Sequence, residues 1–353
     1  MSAETNTIVP TPHAAEMLSA FVYHLSEDHD IDFRKEADGS HVVEQTGFRV
    51  SFQEADDGLL VSIRAPHKGA LVFFKEEVAK HVSEVDPAAA LAMRWSGETT
   101  KDGDLPPNFR ILTVLSSREI FAGMQRVTVR MPGLADVAYE GLHLKLMLPS
   151  VAGRAPVWPR MGANGAPVWP TGLDALHARY MTIVAARPEA EEIDLDMVRH
   201  SDGLVSLWAR NAAAGDEIGA MGPAGMQGLP EVERYLLAAD LTGLPSAARI
   251  IETLPEGATG DLVVSTPENC DLSDYLPKSN LRVHRLAPGV FEAEAIPLLA
   301  KLAEQCAPQQ AWFAGEFEGA QAARKLFKGR CGLAKGEQLA VAYWRHAHPG
   351  FMA

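Results

Sequence analysis

Apolar positions recur along this chain in three successive rhythms. In the first hundred residues, Met17, Leu18, Phe21, Val22 and Leu25 fall at helical spacing and predict a helix over Ala14 to Glu27. Alternating stretches at His41–Val43, Phe48–Phe52 and Leu59–Ile63, separated by Asp-Gly turns, predict strands. A second amphipathic segment, Ala70 to Val82, leads to Ala88–Trp95. Residues 96 to about 109 are polar and rich in Gly and Pro, and read as a linker. The next rhythm is of short strands broken by turns: Ile111–Leu115, Gln125–Met131, His143–Leu148, Tyr180–Val184, Ile193–Val198 and Glu217–Met221. Strands at this spacing predict an antiparallel six-stranded barrel. Within it Ala155–Pro159 recurs as Ala166–Pro170, and the duplication reads as a hairpin turning on Gly162 and Gly165. The last rhythm alternates strand and helix: strands at Tyr235–Ala239, Asp261–Ser265, Arg282–Leu286, Ala311–Ala314 and Leu339–Tyr343, with helices at Ser246–Glu252, Ile296–Gln305 and Ala320–Lys328. Alternation of that kind predicts a parallel sheet with right-handed crossovers. The fold class expected is therefore multidomain, α+β then β-barrel then α/β, with boundaries at 1–100, 108–228 and 229–353.

Composition narrows the class. A chain of 353 residues is too long for one ordinary core. With 47% hydrophobic and 22% charged residues it is a globular protein, and no apolar run reaches membrane-spanning length. The N-terminus has no secretory pattern, so a cytoplasmic location is expected. Cys270, Cys306 and Cys331 lie far apart and suggest neither a disulfide framework nor an iron–sulfur cluster. His24, His29, His41, His67 and His81 have no metal-ligand spacing, and no metal site is expected. A net charge of −14 argues against nucleic acid or anionic membrane as partner.

The chemistry lies in motifs that follow one another in order. Arg179-x-x-Thr182 sits on a strand, where alternation puts Arg179 and Met181 on one face and Tyr180 and Thr182 on the other. A guanidinium suits a diphosphate because its fork makes paired, charge-assisted hydrogen bonds. The segment His200-Ser201-Asp202-Gly203-Leu204-Val205-Ser206 runs into a predicted helix, Ser206–Ala213, whose N-terminus offers free N–H groups to an anion. Asp240-Leu241-Thr242-Gly243-Leu244-Pro245 stands where a strand meets its helix, and Trp312-Phe313-Ala314-Gly315-Glu316 and Tyr343-Trp344-Arg345 end later strands. In parallel sheets ligands bind beyond the carboxyl ends of the strands, where these motifs fall.

Taken in order from about Asn108 to His348, these motifs resemble the siderophore-interacting proteins, ferric-siderophore reductases of the ferredoxin–NADP reductase superfamily. The first hundred residues resemble a small uncharacterised domain sometimes fused ahead of them. The resemblance implies an FAD-binding barrel and an NAD(P)H-binding domain, in a chain expected to act as a monomer. It implies that Arg179 and Thr182 contact FAD, with Tyr180 and Met181 on the same strand; Met181 stands where the family usually has a ring-packing Tyr. Val198 and His200 would line the flavin through their backbone, and Gly203, Val205 and Ser206 would bind its diphosphate. Asp240, Thr242, Gly315 and Glu316 would form the nicotinamide side, and Trp344 is a further cofactor-binding candidate. Lys145 and Arg345 are the candidate basic patch for an anionic ferric siderophore. No side chain is expected to act as acid or base, since the flavin carries the chemistry. Two alternatives remain open: a general flavin reductase or diaphorase, and a non-catalytic siderophore-binding module. Lys278, Arg282 and Arg285 are all eligible to select NADPH over NADH.

Overall fold

A computed structural model of the chain describes residues 2–27, 31–45, 48–97, 100–137, 141–201, 203–225, 228–268, 270–273 and 275–348. His29 and Asp202, singled out above, lie outside the described residues. The chain divides into two compact units, Met1–Phe109 with Pro149–Leu176, and Arg110–Leu148 with His177–Ala353.

In the first unit β1 (Ala3–Pro10), α1 (Ala14–Glu27), β2 (Arg34–Lys35), β3 (His41–Gln45), β4 (Phe48–Ala55), β5 (Gly58–Ala65), α2 (Lys68–Val85) and α3 (Pro87–Ala92) follow in order. The strands pair antiparallel as β1-β5-β4-β3-β2. Phe21 and Leu25 of α1, with Leu71, Val78 and Val82 of α2, share one core with Phe52, Leu59, Val61 and Ile63 of the sheet. Strand β1 is absent from the expectation for a physical reason: its buried positions are Thr5, Thr7 and Val9, so hydropathy alternation is weak. The two hydroxyls are satisfied by donating to Ser96 O and Arg94 O, each at 2.9 Å.

The segment Pro149–Leu176 belongs to this same unit. Its hairpin differs from the one expected. Strands β9 (Arg160–Met161) and β10 (Pro167–Val168) pair Met161 with Pro167 and Arg160 with Val168. Only the second copy of the repeat is therefore in a strand; the first precedes β9. Trp169 Nε1 donates to Glu76 Oε1 at 2.8 Å and Asn164 Nδ2 to Ala90 O at 3.1 Å, fastening the hairpin to α2 and α3.

The second unit opens with β6 (Phe109–Phe121), β7 (Met124–Arg130), the short α4 (Leu134–Val137) and β8 (His143–Pro149). It resumes with β11 (Leu176–Arg187), β12 (Glu192–Val198), α5 (Leu204–Asn211) and β13 (Glu217–Ala224). Six strands close a barrel in the order β11-β12-β7-β6-β13-β8. Leu112, Val127, Leu144, Ile183 and Leu195 fill it, and Val205 and Ala209 of α5 join the same cluster.

The remaining elements are β14 (Arg234–Ala239), α6 (Leu244–Glu252), β15 (Thr259–Ser265), β16 (Asn280–Leu286), α7 (Phe291–Cys306), β17 (Gln310–Glu316), α8 (Phe317–Gly329) and β18 (Gln338–Trp344). Their parallel sheet runs β16-β15-β14-β17-β18. Strand order thus reverses between β14 and β17, which makes a crevice at their carboxyl ends. Helix α7 starts at Phe291, earlier than expected, and carries Pro297 inside it. Burial of Phe291, Ala295 and Leu299 on one face outweighs the hydrogen bond that proline removes.

Candidate functional site

On the barrel, β11 carries the Arg179-x-x-Thr182 motif. Arg179 is half-buried, its Nη1 donates to Ala178 O at 2.6 Å, and burial lowers its pKa. A partly desolvated guanidinium favours an anionic neighbour. Met181 packs against the barrel core cluster. Tyr180 faces the other way, with Lys145 Nζ of β8 lying 5.3 Å from its ring centre.

Thr182 is buried and belongs to a polar ring that sequence reasoning missed. Its hydroxyl lies 3.3 Å from His143 Nδ1 and 2.8 Å from Ser246 Oγ. Ser246 Oγ is 2.9 Å from the Tyr343 hydroxyl, which is 3.5 Å from His143 Nε2. The ring therefore ties barrel strands β8 and β11 to α6 and β18. Burial pushes His143 down to about 4 and Tyr343 up to about 12, so both are neutral at physiological pH. In the sequence, Thr182 and Tyr343 stood in motifs and His143 at the start of an expected strand, but nothing along the chain pairs residues 200 positions apart.

After β12, whose last residue is Val198, the chain turns into α5. Helix α5 starts at Leu204, two residues earlier than expected, with Gly203 as its N-cap and no side-chain capping bond. Ser206 does not supply that cap. Its buried hydroxyl accepts from His200 N at 2.9 Å and donates to His200 O at 3.1 Å, pinning the approach loop. A Cβ on Gly203 would stand 2.1 Å from His200 Cε1, so a larger residue here would turn the exposed His200 ring aside. With no side-chain cap among the described residues, the amides around Val205 and Ser206 suit a phosphate.

At the sheet's switch point Asp240 is buried and fully engaged. Its Oδ1 accepts from Thr242 N (2.7 Å), Thr242 Oγ1 (2.6 Å) and Gly243 N (3.0 Å), and Oδ2 accepts from Trp344 Nε1 at 2.7 Å. Burial raises its pKa although these donors oppose it. Gly315 is needed because a Cβ there would meet Asp240 Oδ2 at 2.9 Å. Glu316 caps α8 by accepting from Glu318 N and Gly319 N, and also accepts from His346 N at 3.2 Å. Around these residues lies a cavity of about 470 Å³, lined also by Phe291, Phe313 and Arg345. Arg345 is exposed, its guanidinium 4.3 Å from the Phe317 ring centre. Asp240, Glu316, Trp344 and Arg345 are thus brought together, whereas Lys145 lies apart from this cavity, on the barrel.

The cations eligible for a 2′-phosphate separate clearly. Lys278 precedes β16, and Arg282 near its start is bidentate to Asp261 at 2.9 and 2.8 Å. Both lie at the amino end of the parallel strands, away from the crevice. Arg285 is at the carboxyl end, where its Nε donates to Thr266 Oγ1 at 3.1 Å.

The donor set fits a flavin dinucleotide. A half-buried guanidinium and an uncapped helix N-terminus suit the diphosphate, and a neutral hydroxyl ring suits the edge of a polar aromatic ring system.

Comparison with known proteins agrees with this geometry. Residues 113–227 match the family described as the siderophore-interacting FAD-binding domain, and residues 232–347 match the siderophore-interacting protein family. Residues 6–96 match a domain described only as an uncharacterised protein conserved in bacteria (DUF2218). Ferric vibriobactin reductase ViuB of Vibrio cholerae is 26% identical over 246 residues, covering 67% of this chain and 89% of that protein. The NADPH-dependent ferric-chelate reductase of Escherichia coli is 33% identical over 174 residues, 48% of this chain and 66% of that one. A siderophore utilization protein from T. fusca superposes with a TM-score of 0.59 at 26% identity, covering 72% of this chain and 98% of that one. The siderophore-interacting protein SipS from Aeromonas hydrophila superposes with a TM-score of 0.56 at 28% identity, covering 68% and 92%. With barrel and parallel sheet each matched, residues 113–347 belong to the siderophore-interacting protein family, the barrel being its FAD-binding domain.

Proposed function

We propose that the chain is an NAD(P)H-dependent flavoprotein oxidoreductase that reduces ferric siderophores in the cytoplasm, releasing iron as Fe²⁺. The observation that carries the reading is the pairing, in one compact unit, of an anion-ready barrel site with a cavity at the sheet's switch point. Bound FAD would supply the exchange between the two-electron chemistry of a nicotinamide and the one-electron chemistry of Fe³⁺. The chain's own residues bind and orient. Arg179 and the α5 N-terminus hold the diphosphate, Met181 and Thr182 border the ring system, and the backbone at Val198 and His200 passes beside it. Asp240 fixes Thr242, Gly243 and Trp344 around the nicotinamide, and Glu316 holds the α8 start. Arg345 at the cavity, and Lys145 separately on the barrel, present positive charge to an anionic ferric chelate in an otherwise acidic protein of net charge −14. No helix among the described residues is long and apolar enough to cross a membrane, which accords with a small-molecule substrate met in solution. The acidic surface disfavours nucleic acid, and a monomer would suffice because one chain supplies both lobes.

Anaerobic titration of the FAD-loaded protein tests this. NADPH is expected to bleach the flavin absorbance, and an added ferric siderophore to restore it with Fe²⁺ captured by a colorimetric chelator. Arg285→Ala is expected to raise KM for NADPH about tenfold or more, the worth of a charge-assisted hydrogen bond, while leaving NADH unchanged. Free flavins and quinones being reduced, with no rate on ferric siderophores, would establish a general diaphorase instead. Siderophore binding without any bleaching would establish a non-catalytic module.

A further inference from the structure

The leading domain brings together side chains that its sequence scatters. His24 lies in the last turn of α1, while Glu77, His81 and Glu84 lie on one face of α2 at i, i+4 and i+7. His24 Nε2 is 3.3 Å from His81 Nδ1 and 3.3 Å from Glu84 Oε2, and His81 Nδ1 is 3.4 Å from Glu84 Oε2. Among the described residues this is a group of three ligand-type atoms lying within 4.8 Å of one another. We propose that His24, His81 and Glu84 bind a divalent first-row transition cation, with Zn²⁺ the best match.

The spacing is the argument. Ligand atoms about 2.0–2.1 Å from a tetrahedral Zn²⁺ stand about 3.3–3.4 Å from one another, which is the length of all three edges here. Octahedral ligands at the same bond length would stand closer, at about 3.0 Å. Charge-assisted hydrogen bonds would shorten an edge to about 2.7–2.9 Å, and one proton serves one edge, so three equal longer edges suit a shared cation better. Two imidazoles with one carboxylate favour zinc, iron or cobalt over magnesium and calcium. On the far side of the His81 ring, Nε2 faces Glu77 Oε2 at 3.8 Å. With a cation on Nδ1, the ring proton would sit on Nε2 and point toward that carboxylate, the usual arrangement behind a ligating histidine. His81 is 9% exposed and Glu84 48%, so the fourth position opens toward solvent, where water or an exchangeable ligand completes the shell. The cation would clamp the end of α1 onto α2 across 57 residues of sequence. This proposal is independent of the flavin chemistry, since all its residues lie in the first unit.

The test uses the full-length chain, stripped with a chelator, dialysed and titrated with Co²⁺ by difference absorption. One equivalent of Co²⁺ is expected to give the intense visible bands of tetrahedral coordination, and one equivalent of Zn²⁺ to abolish them. Glu84→Gln and His24→Asn, both at partly exposed positions, are expected to weaken Co²⁺ binding a hundredfold or more with unchanged circular dichroism. Glu77→Gln is expected to weaken it about tenfold, as for other groups behind a ligating histidine. His13→Asn, an exposed histidine outside the group, is expected to bind like the parent. Absence of a saturable band, or equal affinity in the His24 and Glu84 variants, would overturn the proposal and leave a metal-free histidine–carboxylate cluster.

Discussion

At the scale of single residues, burial decides which charges this protein keeps. His143 is the clearest case, because its folded pKa of about 4 lies below the ordinary value of 6.5. Between those two values the unfolded chain takes up a proton that the folded chain refuses. Stability is therefore complete above about pH 6.5 and falls as pH drops toward 4, by up to about 3 kcal/mol. Denaturant melts from pH 7 to 4.5 are expected to show this slope in the parent and a shallower one in His143→Gln. Equal slopes would mean that the His143 ring is protonated within the fold. The same logic separates Ser206 from the role its position suggests. The residue was legible as a helix-start serine, but its hydroxyl is committed to the His200 backbone, so any phosphate there meets backbone amides.

At the scale of elements, the motifs matter because of where strands end and helices begin. Asp240 to Gly243 turns β14 into α6 so tightly that a Cβ on Gly243 would stand 2.7 Å from Ala314 O and 2.8 Å from Ala314 Cβ of β17. Gly243→Ala is expected to force α6 off β17, at a cost of about 1–3 kcal/mol, and to slow turnover by displacing Thr242. A thermal melt with a steady-state assay checks both effects; an unchanged melting temperature would mean that the turn has slack. Element identity was largely readable from periodicity, including all six barrel strands. The departures share one cause, which is that tertiary burial overrides local preference. Pro297 marks a helix start in the sequence, yet α7 extends back to Phe291 because that side chain joins a core with Leu236 and Phe313. Thr5 and Thr7 hide β1 because polar side chains occupy its inward face.

At the scale of the whole molecule, two compact units predict two unfolding events. Scanning calorimetry is expected to resolve two transitions, with saturating FAD raising only the one that belongs to the barrel and parallel sheet. At a thousandfold excess over Kd, linkage supplies about 4 kcal/mol to that unit. A single transition that moves as one with FAD would contradict the division. The sequence by itself determined the order of the three lobes, their strand and helix types and the motif residues at strand ends, because periodicity, turn chemistry and helix starts are local properties of the chain. Tertiary structure alone decided the partnerships. It set His24 beside His81, closed Thr182, Ser246, Tyr343 and His143 into one ring, joined the Pro149–Leu176 hairpin to the leading domain, and left Arg285 rather than Arg282 at the open end of the sheet. Those pairings span long loops, and the contacts that favour them form only once whole layers have packed, so no local pattern encodes them.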